Sequence, residues 1–455
     1  GATAGPDTVR LLGHGVSRPS RHRPHSRDST PPRVVGSPHE WPSLKRGGTE
    51  CHDWRVIDLD RSVPALLVRT GNPVWDYGAL ATVRTLRRAG VDVHVQAHPS
   101  ETELLRSRFL TGVVGAPVDP HAPTAVQIEH INAAVAAVGA TCVAIAGDDE
   151  SAVLMAEQSS ALDTRLLVPA NDPSLPRSLS DKVTLGRLAE QSGVPYPRFV
   201  VTQDPARLRE FAHEVGIPLV LKSPAPFLRL SDETVSRTTV VRSLLDLRAW
   251  EDAAATGHEL FAQEYLAGPE LESWYAAGVR VPGDDAQPVW TGRKVIAHPT
   301  GTGIGVVNVS SPHPELARHV DRLCRQIGWV GPFDTDWIVD PRTGAAYLID
   351  FNPRRGAQFR TFQTSTDVDV VRASHLLLTG RAVPWGDQEF GVVHLVENLA
   401  ILHGPEAAPW RVAGRGRRVE LSWFARDDGA PARSLAWQMA GRVRQKVRDR
   451  FRDGR

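Results

Sequence analysis

The distribution of apolar residues separates a polar start of the chain from periodic segments that can fold. Residues 1–62 are rich in arginine, histidine, proline, serine and glycine and show no apolar periodicity. Such a segment buries too little apolar surface to offset the entropy of ordering. We therefore expect residues 1–62 to form a disordered leader, with a basic arm that contacts a partner as the alternative.

Short apolar runs alternate with helical periodicity in residues 64–172. Strand, helix and strand in succession predict a βαβ unit, and two such units predict a small parallel sheet. Asp148 and Asp149 follow a predicted strand, where they can bind a ligand or, as we expect, cap the next helix. The pattern gives strands at 65–69, 91–95 and 141–146, and helices at 77–89, 128–138 and 151–159.

The rest of the chain contains both segments with apolar residues at helical spacing and segments with alternating apolar residues. Two runs rich in β-formers flank the turn sequence Asp-Pro-Arg-Thr-Gly, which predicts a hairpin between the strand ending at residue 339 and residues 345–351. The class predicted is α/β and α+β: a parallel-sheet domain at 64–172, a two-lobed domain at 178–380 and a C-terminal extension at 381–455. Further elements are helices at 182–191, 244–255 and 433–452, and strands at 198–201, 218–221, 238–242 and 259–266.

Composition excludes several classes of protein. Lysine plus arginine number 53 and aspartate plus glutamate 52, so no net field recruits nucleic acid or an anionic membrane. The three cysteines are widely spaced, which argues against a disulfide framework or a zinc site. No apolar run approaches the ~18 residues of a membrane span. We therefore expect a cytoplasmic protein that binds neither nucleic acid nor a membrane.

The predicted hairpin carries oxygen ligands for a cation. Asp350 and Asn352 are two residues apart on one strand and share a face, while Asp336 on the partner strand lies opposite or one diagonal step away. Such hard ligands suit Mg²⁺ or Mn²⁺, with water and phosphate oxygens completing the shell. Arg354 adds a planar fork for a phosphate oxygen. A solvated hairpin with acids on its exposed face is the alternative.

Two earlier features point to a nucleotide. Lys222 ends the apolar run 218–221, so a rigid element could aim its ammonium at polyphosphate. An ordinary surface lysine is the alternative. The strand at 259–266 leads into a glycine turn, which could offer backbone groups to a purine and the carboxylate of Glu270 to ribose hydroxyls.

In this order the pieces resemble the ATP-grasp superfamily over residues 178–380, and residues 64–172 resemble its pre-ATP-grasp domain. Biotin carboxylase and D-alanine ligase carry the same sequence of motifs. The resemblance implies a nucleotide-binding set: Lys182, Lys222, Glu264, Tyr265, Leu266 and Glu270. It implies a metal-binding set: Asp336, Asp350 and Asn352. It implies a catalytic set: Arg354, Lys222 and Arg293, with a surface arginine as the alternative for Arg293.

The resemblance implies a ligase that uses ATP and Mg²⁺ or Mn²⁺. Such enzymes phosphorylate a substrate carboxylate to an acylphosphate, which an amine attacks to form an amide or peptide bond. An amino acid or peptide is the expected substrate class, and a homodimer is left open. Two alternatives remain: an ATP-binding module without ligase turnover, and an enzyme that activates bicarbonate as biotin carboxylase does.

Two features depart from the superfamily pattern. The lid lobe, at about 200–265, is normally rich in glycine, but no glycine lies between Gly216 and Gly257. Closure through side chains and impaired closure both stay open. The last metal acid is Asp350 where many members have glutamate, so its carboxylate reaches less far.

Overall fold

The structure is a computed structural model and describes residues 57–71, 76–222, 239–266, 268, 270–299, 303–408, 411 and 417–453. For residues 222, 442–443 and 445–453 it describes the backbone alone. All of these residues belong to one compact unit that begins at residue 54. Most of the predicted leader and residues 223–238 of the predicted lid lie outside the described residues.

Five parallel strands form the first sheet, in the order β3-β2-β1-β4-β5. The all-apolar central strand is buried because helices cover both faces of the sheet. The expected βαβ units are therefore present, with shifted ends. The elements are β1 (Ala65–Val68), α1 (Tyr77–Arg88), β2 (Val93–Val95), α2 (Thr102–Leu105), β3 (Gly112–Val113), α3 (Thr124–Val138), β4 (Cys142–Ala146), α4 (Asp149–Glu157) and β5 (Leu166–Leu167).

The end of the predicted leader differs from expectation. Ile57 and Leu59 are buried and pack in the same core cluster as β1 and α1. These two side chains alternate with polar residues, so a short segment suffices to bury both of them. Ordered structure therefore begins at least five residues before the predicted end of the leader at residue 62.

The second sheet has four antiparallel strands in the order β6-β9-β7-β8. Two helices cover one of its faces and form a separate apolar core with Leu219, Leu221 and Leu260. This sheet occupies the predicted lid lobe. Its elements, with the two helices that precede it, are α5 (Leu175–Ser180), α6 (Lys182–Gln191), β6 (Phe199–Thr202), α7 (Pro205–Val215), β7 (Leu219–Lys222), β8 (Thr239–Val241), α8 (Leu244–Ala255) and β9 (Leu260–Glu264).

The third sheet has seven strands in the order β14-β13-β10-β11-β12-β15-β16, antiparallel except for the last pair. Three parallel and antiparallel sheets together confirm the predicted α/β and α+β class. The elements are β10 (Glu272–Arg280), β11 (Trp290–His298), β12 (Ile304–Ser310), α9 (Pro314–Ile327), β13 (Gly331–Val339), β14 (Ala346–Asn352), α10 (Val370–Leu378), β15 (Val393–Leu395), α11 (Glu397–Ala400), β16 (Val419–Leu421) and α12 (Ala430–Asp453).

One apolar core joins the first and third sheets. Leu80 of α1, Tyr275 of β10 and Val370 of α10 belong to the same buried cluster. This shared core brings the carboxyl end of the parallel sheet close to the hairpin β13–β14. The predicted division at residues 64–172, 178–380 and 381–455 stays a prediction, because the described residues form one unit.

The C-terminal helix α12 contacts the parallel-sheet region. The hydroxyl of Ser434 lies 2.9 Å from that of Thr102, and Gln438 donates a hydrogen bond to Thr102 at 2.6 Å. Leu435 is buried beneath the helix, whereas Trp437 is exposed. In the part of the chain that the structure describes, no helix has the length and apolarity needed to cross a membrane.

Candidate active site

The hairpin places four oxygen-bearing side chains in a two-by-two array. Strands β13 and β14 pair antiparallel, with Asp336 opposite Asp350 and Asp334 opposite Asn352. Residues two apart share a face, so all four side chains project from one side of the sheet. We call these four residues the carboxylate array. The structure thus brings together the three residues predicted to bind metal and adds Asp334.

Two lysines from other elements face the carboxylate array. Lys182 begins α6 because the side chain of Asp181 accepts a backbone hydrogen bond and caps the helix. Its ammonium forms an ion pair with Asp350. Lys294 of β11 reaches across the intervening strand β10 and lies 2.6 Å from Asp336. Each of these two carboxylates therefore has a cationic partner.

Burial and neighbouring charges shift the pKa values of two groups at the array, Lys294 and Asp334. Burial disfavours the ammonium of Lys294, but the surrounding carboxylates, with Asp336 the strongest, raise its pKa above the usual value. Burial and then the charge of Asp336 raise the pKa of Asp334 well above its usual range. Asp334 accepts a hydrogen bond from the Asn352 amide at 3.2 Å. Its Oδ1 atom has no hydrogen-bond partner among the described residues.

Arg354 links the hairpin to the parallel sheet. Its Nε atom lies 2.9 Å from a carboxylate oxygen of Asp149, the first residue of α4. Burial raises the pKa of Asp149 even though Arg354 opposes this shift. Asp148 is the N-cap of α4 and accepts a hydrogen bond from the Ser151 amide at 2.7 Å, which confirms the expected capping role. Asp149 instead belongs to the edge that faces the carboxylate array.

The hinge strand approaches from the four-stranded sheet. Strand β9 ends at Glu264, and Tyr265 and Leu266 follow beyond the strand. The Glu264 carboxylate accepts hydrogen bonds from the Arg198 guanidinium at 3.1 and 3.0 Å, so this side chain has a structural partner. Gln263 is buried, and its Nε2 atom has no partner in the described part of the chain. It is an additional candidate for contact with a ligand.

Arg293 and Glu270 do not join the array in this structure, and the side chain of Lys222 lies outside what the structure describes. Arg293 lies one residue before Lys294 and so projects from the opposite face of β11, where it donates to Glu272 at 2.6 Å. Glu270 lies 3.5 Å from Arg342 and is about half exposed. Of Lys222 the structure describes the backbone, which pairs with β9.

Curated relatives match part of the chain, whereas no family model matches it. The carbamoyl phosphate synthase large chain of Deinococcus radiodurans is 29% identical over 196 residues, which is 40% of this chain and 18% of that one. The D-alanine–D-alanine ligase of Ectopseudomonas mendocina is 25% identical over 181 residues, which is 38% of this chain and 54% of that ligase. The matches thus span less than two thirds of either relative.

Solved structures share the fold over most of the chain. N5-carboxyaminoimidazole synthetase from Staphylococcus aureus, complexed with ADP, has a TM-score of 0.53 at 12% identity and covers 73% of this chain and 81% of its own. The biotin carboxylase domain of Hydrogenobacter thermophilus 2-oxoglutarate carboxylase, a dimer with MgADP and bicarbonate, has a TM-score of 0.54 at 15% identity and covers 74% of each chain. At these identities the likeness shows the fold alone. In sequence over part of its length, and in fold over most of it, the chain is similar to ATP-grasp enzymes.

The donor set at this hairpin fits a magnesium–nucleotide complex. Among the described residues, no three histidine, cysteine or acidic side chains gather as a metal site by themselves. The array instead offers Asp336, Asp350 and the amide of Asn352, a sparse set of hard ligands that suits a cation also bound by phosphate and water. The orphaned amide of Gln263 beside the hinge suits a purine acceptor.

The local sequence pattern could have revealed part of what the sequence analysis missed. Asp334 shares the alternation of Asp336 and is visible as the second acid of the Asp-Thr-Asp sequence. Lys294 is adjacent to the predicted Arg293, but which of them faces the array depends on the face that β11 presents. Gln263 carries no signal of its own, because its importance rests on burial without a partner.

Proposed function

We propose that this chain is an ATP-dependent ligase that activates a substrate carboxylate as an acylphosphate and joins it to an amine. The observation that carries the proposal is the charge pairing across separate elements: Asp350 with Lys182, and Asp336 with Lys294. These elements are distant in sequence yet converge on one face of the third sheet. Such pairing supports a site that handles several negative charges at once.

The chain's own residues have separable tasks in this proposal. Asp336, Asp350 and Asn352 would hold Mg²⁺, which screens the charge of the nucleotide phosphates when it is bound. Lys182 and Lys294 stand beside these ligands and would contact phosphate oxygens once their carboxylates are otherwise engaged. The hinge residues Glu264, Tyr265 and Leu266 and the side chain of Gln263 would hold the purine, and Glu270 and Lys222 keep their predicted roles toward ribose and phosphate. Arg354 would position the transferred phosphoryl group.

The reaction balances as two steps. A carboxylate oxygen of the first substrate attacks the γ-phosphorus, the bond to the ADP oxygen breaks, and an acylphosphate forms. The amine nitrogen of the second substrate then attacks the acyl carbon, phosphate leaves, and the nitrogen loses a proton. Because charge neutralisation and positioning dominate phosphoryl transfer, the paired cations matter more than any nucleophile of the protein.

ADP release, screened over amino acids and short peptides singly and in pairs, tests the proposal. We expect release that depends on a carboxylate and an amine, and near-complete loss in Asp350→Ala with the fold retained, because this change removes a ligand and frees Lys182. Asp340→Asn is the matched control. This acid lies in the turn of the same hairpin and binds Arg342, so ADP release should persist.

Three outcomes would contradict the proposal. ATP binding without ADP release under any pair of acceptors would favour a nucleotide-binding module. ADP release driven by bicarbonate without an amine would favour a carboxylase-like reaction. Release that survives Asp350→Ala would remove the carboxylate array from the site. Each outcome is read from the same assay with product analysis by mass spectrometry.

The setting of the enzyme is part of the proposal. The proposed substrates are a small-molecule carboxylate and a small-molecule amine, and the reaction requires no nucleic acid or membrane. We propose a cytoplasmic protein, with Cys142 and Cys324 buried as free thiols. A homodimer is also proposed, since the biotin carboxylase domain of 2-oxoglutarate carboxylase is a dimer. Light scattering of the purified full chain checks the oligomeric state.

A further inference from the structure

Arg355 is a buried cation with two nitrogen atoms that have no hydrogen-bond partner in the described part of the chain. The residue is 2% exposed, and its Nε and Nη2 atoms make no hydrogen bond there. The neighbouring Arg354 forms an ion pair with Asp149, whereas Arg355 forms no ion pair among the described residues. A buried charge left uncompensated is one of the most unfavourable features that a fold can contain. Its retention calls for an explanation in function.

The surroundings of Arg355 are apolar and enclosed. Arg355 lines a cavity of about 40 Å³ beside the carboxyl end of β4, and Ile145, Met155 and Trp329 form part of its wall. Two other polar side chains in the wall are already bonded. The Asn171 side chain exchanges two hydrogen bonds with the backbone of Val330, which precedes β13. The Ser374 hydroxyl donates to a carbonyl of its own helix. Arg355 is therefore a polar residue of this wall whose side chain still has unbonded donors.

The start of helix α1 adds a second positive feature. A methyl group at Gly78 would collide with Nη1 of Arg355, so the guanidinium packs against the first turn of this twelve-residue helix. The amide groups of a first turn carry partial positive charge. The nearby carboxylate of Asp76 is engaged, since it caps α1 through the Ala79 amide and forms an ion pair with Arg69 at 3.0 Å. Two positive features therefore meet here.

Arg355 keeps its charge under physiological conditions. Burial lowers the pKa of its guanidinium to about 10, with the field of Asp76 acting in the opposite direction. A group with this pKa is protonated at neutral pH. The side chain therefore stays charged, and Asp76 offsets part of this charge without satisfying the two unbonded nitrogen atoms, which an anion could bind.

We propose that Arg355, the first turn of α1 and the adjoining cavity bind a carboxylate group of a small, largely apolar substrate, such as the free carboxylate of an amino acid or peptide. A guanidinium matches the two oxygens of a carboxylate with parallel hydrogen bonds. The apolar wall accepts a short aliphatic chain, and the small volume excludes a sugar phosphate or nucleotide. This substrate assignment rests on the proposed ligase function, whereas carboxylate binding can be measured without ATP.

The test uses the purified full chain without ATP or magnesium. The melting temperature is measured against increasing acetate, propionate, butyrate and inorganic phosphate, with ionic strength held constant by chloride. We expect a saturable rise with the carboxylates, largest for butyrate because its chain contacts the apolar wall. In Arg355→Met the dissociation constant should increase at least about tenfold, the effect of losing a charge-assisted hydrogen bond. Arg355→Lys keeps the charge without the planar fork and should bind more weakly than the native chain.

Arg280→Met is the matched control. Arg280 is also a buried arginine, 2.9 Å from Asp321, and it is not part of the cavity wall. Its variant should keep the native response to carboxylates. The proposal is overturned if the native chain shows no saturable response, if it responds to phosphate but not to carboxylates, or if Arg355→Met responds like the native chain.

Two further outcomes keep the test decisive. If Arg355→Met does not fold, Arg355→Lys decides, and unchanged carboxylate affinity in that variant overturns the proposal. Asp350→Ala should lose ADP release and retain the carboxylate response. Failure of the ligase function and failure of this site are therefore distinguishable, because each has its own readout.

Discussion

The hairpin β13–β14 and the carboxyl end of β4 both bury charged groups, but they differ in how the charges are compensated. In the hairpin, Asp336 and Asp350 each face a lysine from a distant element. At the end of β4, Asp149 faces Arg354, while Arg355 beside it has no described partner. Compensated pairs hold their geometry before a ligand binds, whereas the unbonded donors of Arg355 would gain their hydrogen bonds only from a ligand.

This difference separates two ways of preparing a site. The lysines at the hairpin are already held by carboxylates, so a bound nucleotide would exchange partners with them. The guanidinium of Arg355 would gain a partner outright. Substitutions in the hairpin should therefore act mainly on turnover, and substitutions at Arg355 mainly on stability and carboxylate affinity.

The largest expected effect separates the two faces of β11. Lys294→Met should lower kcat/KM for ADP release by about 100-fold or more, because it removes a positioned cation from the proposed phosphate site. Arg293→Met should change it by less than about threefold, since Arg293 binds Glu272 on the other face. Steady-state kinetics of both variants, with circular dichroism to check folding, measures the contrast.

Arg293 also tests the resemblance to the superfamily directly. The resemblance assigns the phosphate-facing role to Arg293, whereas the geometry assigns it to Lys294. Equal losses of kcat/KM in the two variants would mean that Arg293 also acts in the site. They would show that β11 presents its other face during turnover. A small effect of Lys294→Met would contradict the role of charge pairing in the proposed function.

The second expected effect compares neighbouring arginines. Arg354→Met should lower the free energy of unfolding by roughly 3 kcal/mol, because it leaves Asp149 buried without its counter-charge. Arg355→Met should raise it by about 1 kcal/mol in the absence of carboxylates, because an uncompensated charge is replaced by an apolar chain of similar length. Urea unfolding followed by tryptophan fluorescence measures both changes.

The outcome that would break the comparison is a loss of stability in both arginine variants. Equal losses would mean that Arg355 has a compensating partner outside the described residues, and the two ends of the site would then be prepared in the same way. A gain in Arg355→Met that disappears when butyrate is added would instead sharpen the contrast, since only the native chain gains stability from the ligand.

Local pattern in the sequence was sufficient for the hairpin and for the start of α6. Alternation along two β-rich runs gives the pairing of Asp336 with Asp350, and the cap residue Asp181 fixes Lys182 as a first helical residue. Such features depend on neighbours within a few residues. Helix α9 was also within reach, because Leu316 and Val320 follow a helical period.

Features that depend on sheet order were beyond the sequence. Lys294 meets Asp336 because β10 lies between their strands, and no local period encodes the order β13-β10-β11. Arg355 is significant because it contacts Gly78 of helix α1, which is distant in sequence. Two of its nitrogen atoms also have no hydrogen-bond partner among the described residues. Burial without a partner is a property of the assembled fold, so composition and spacing cannot reveal it.

The smallest expected effect concerns a buried group that avoids charge altogether. His394 on β15 is buried, and its ring lies 3.1 Å from the Ser422 hydroxyl and 3.4 Å from the Asn308 amide. Burial lowers its pKa to about 3. The unfolded chain, with a histidine pKa of about 6.5, binds one more proton than the folded chain between these values, so stability falls as the pH decreases from about 6.5.

His394→Gln should therefore be less sensitive to acid than the native chain. At pH 5 the native chain should have lost about 2 kcal/mol through this residue relative to pH 7, and the variant should be spared that loss. The exposed His121, changed to Gln, is the matched control and should keep the native profile. Urea unfolding at pH 5, 6 and 7 measures the difference. If the free energy of unfolding depends on pH in the same way for His394→Gln and the native chain, His394 is protonated in the folded state. The fold would then tolerate a buried imidazolium as well as the buried carboxylates and arginines.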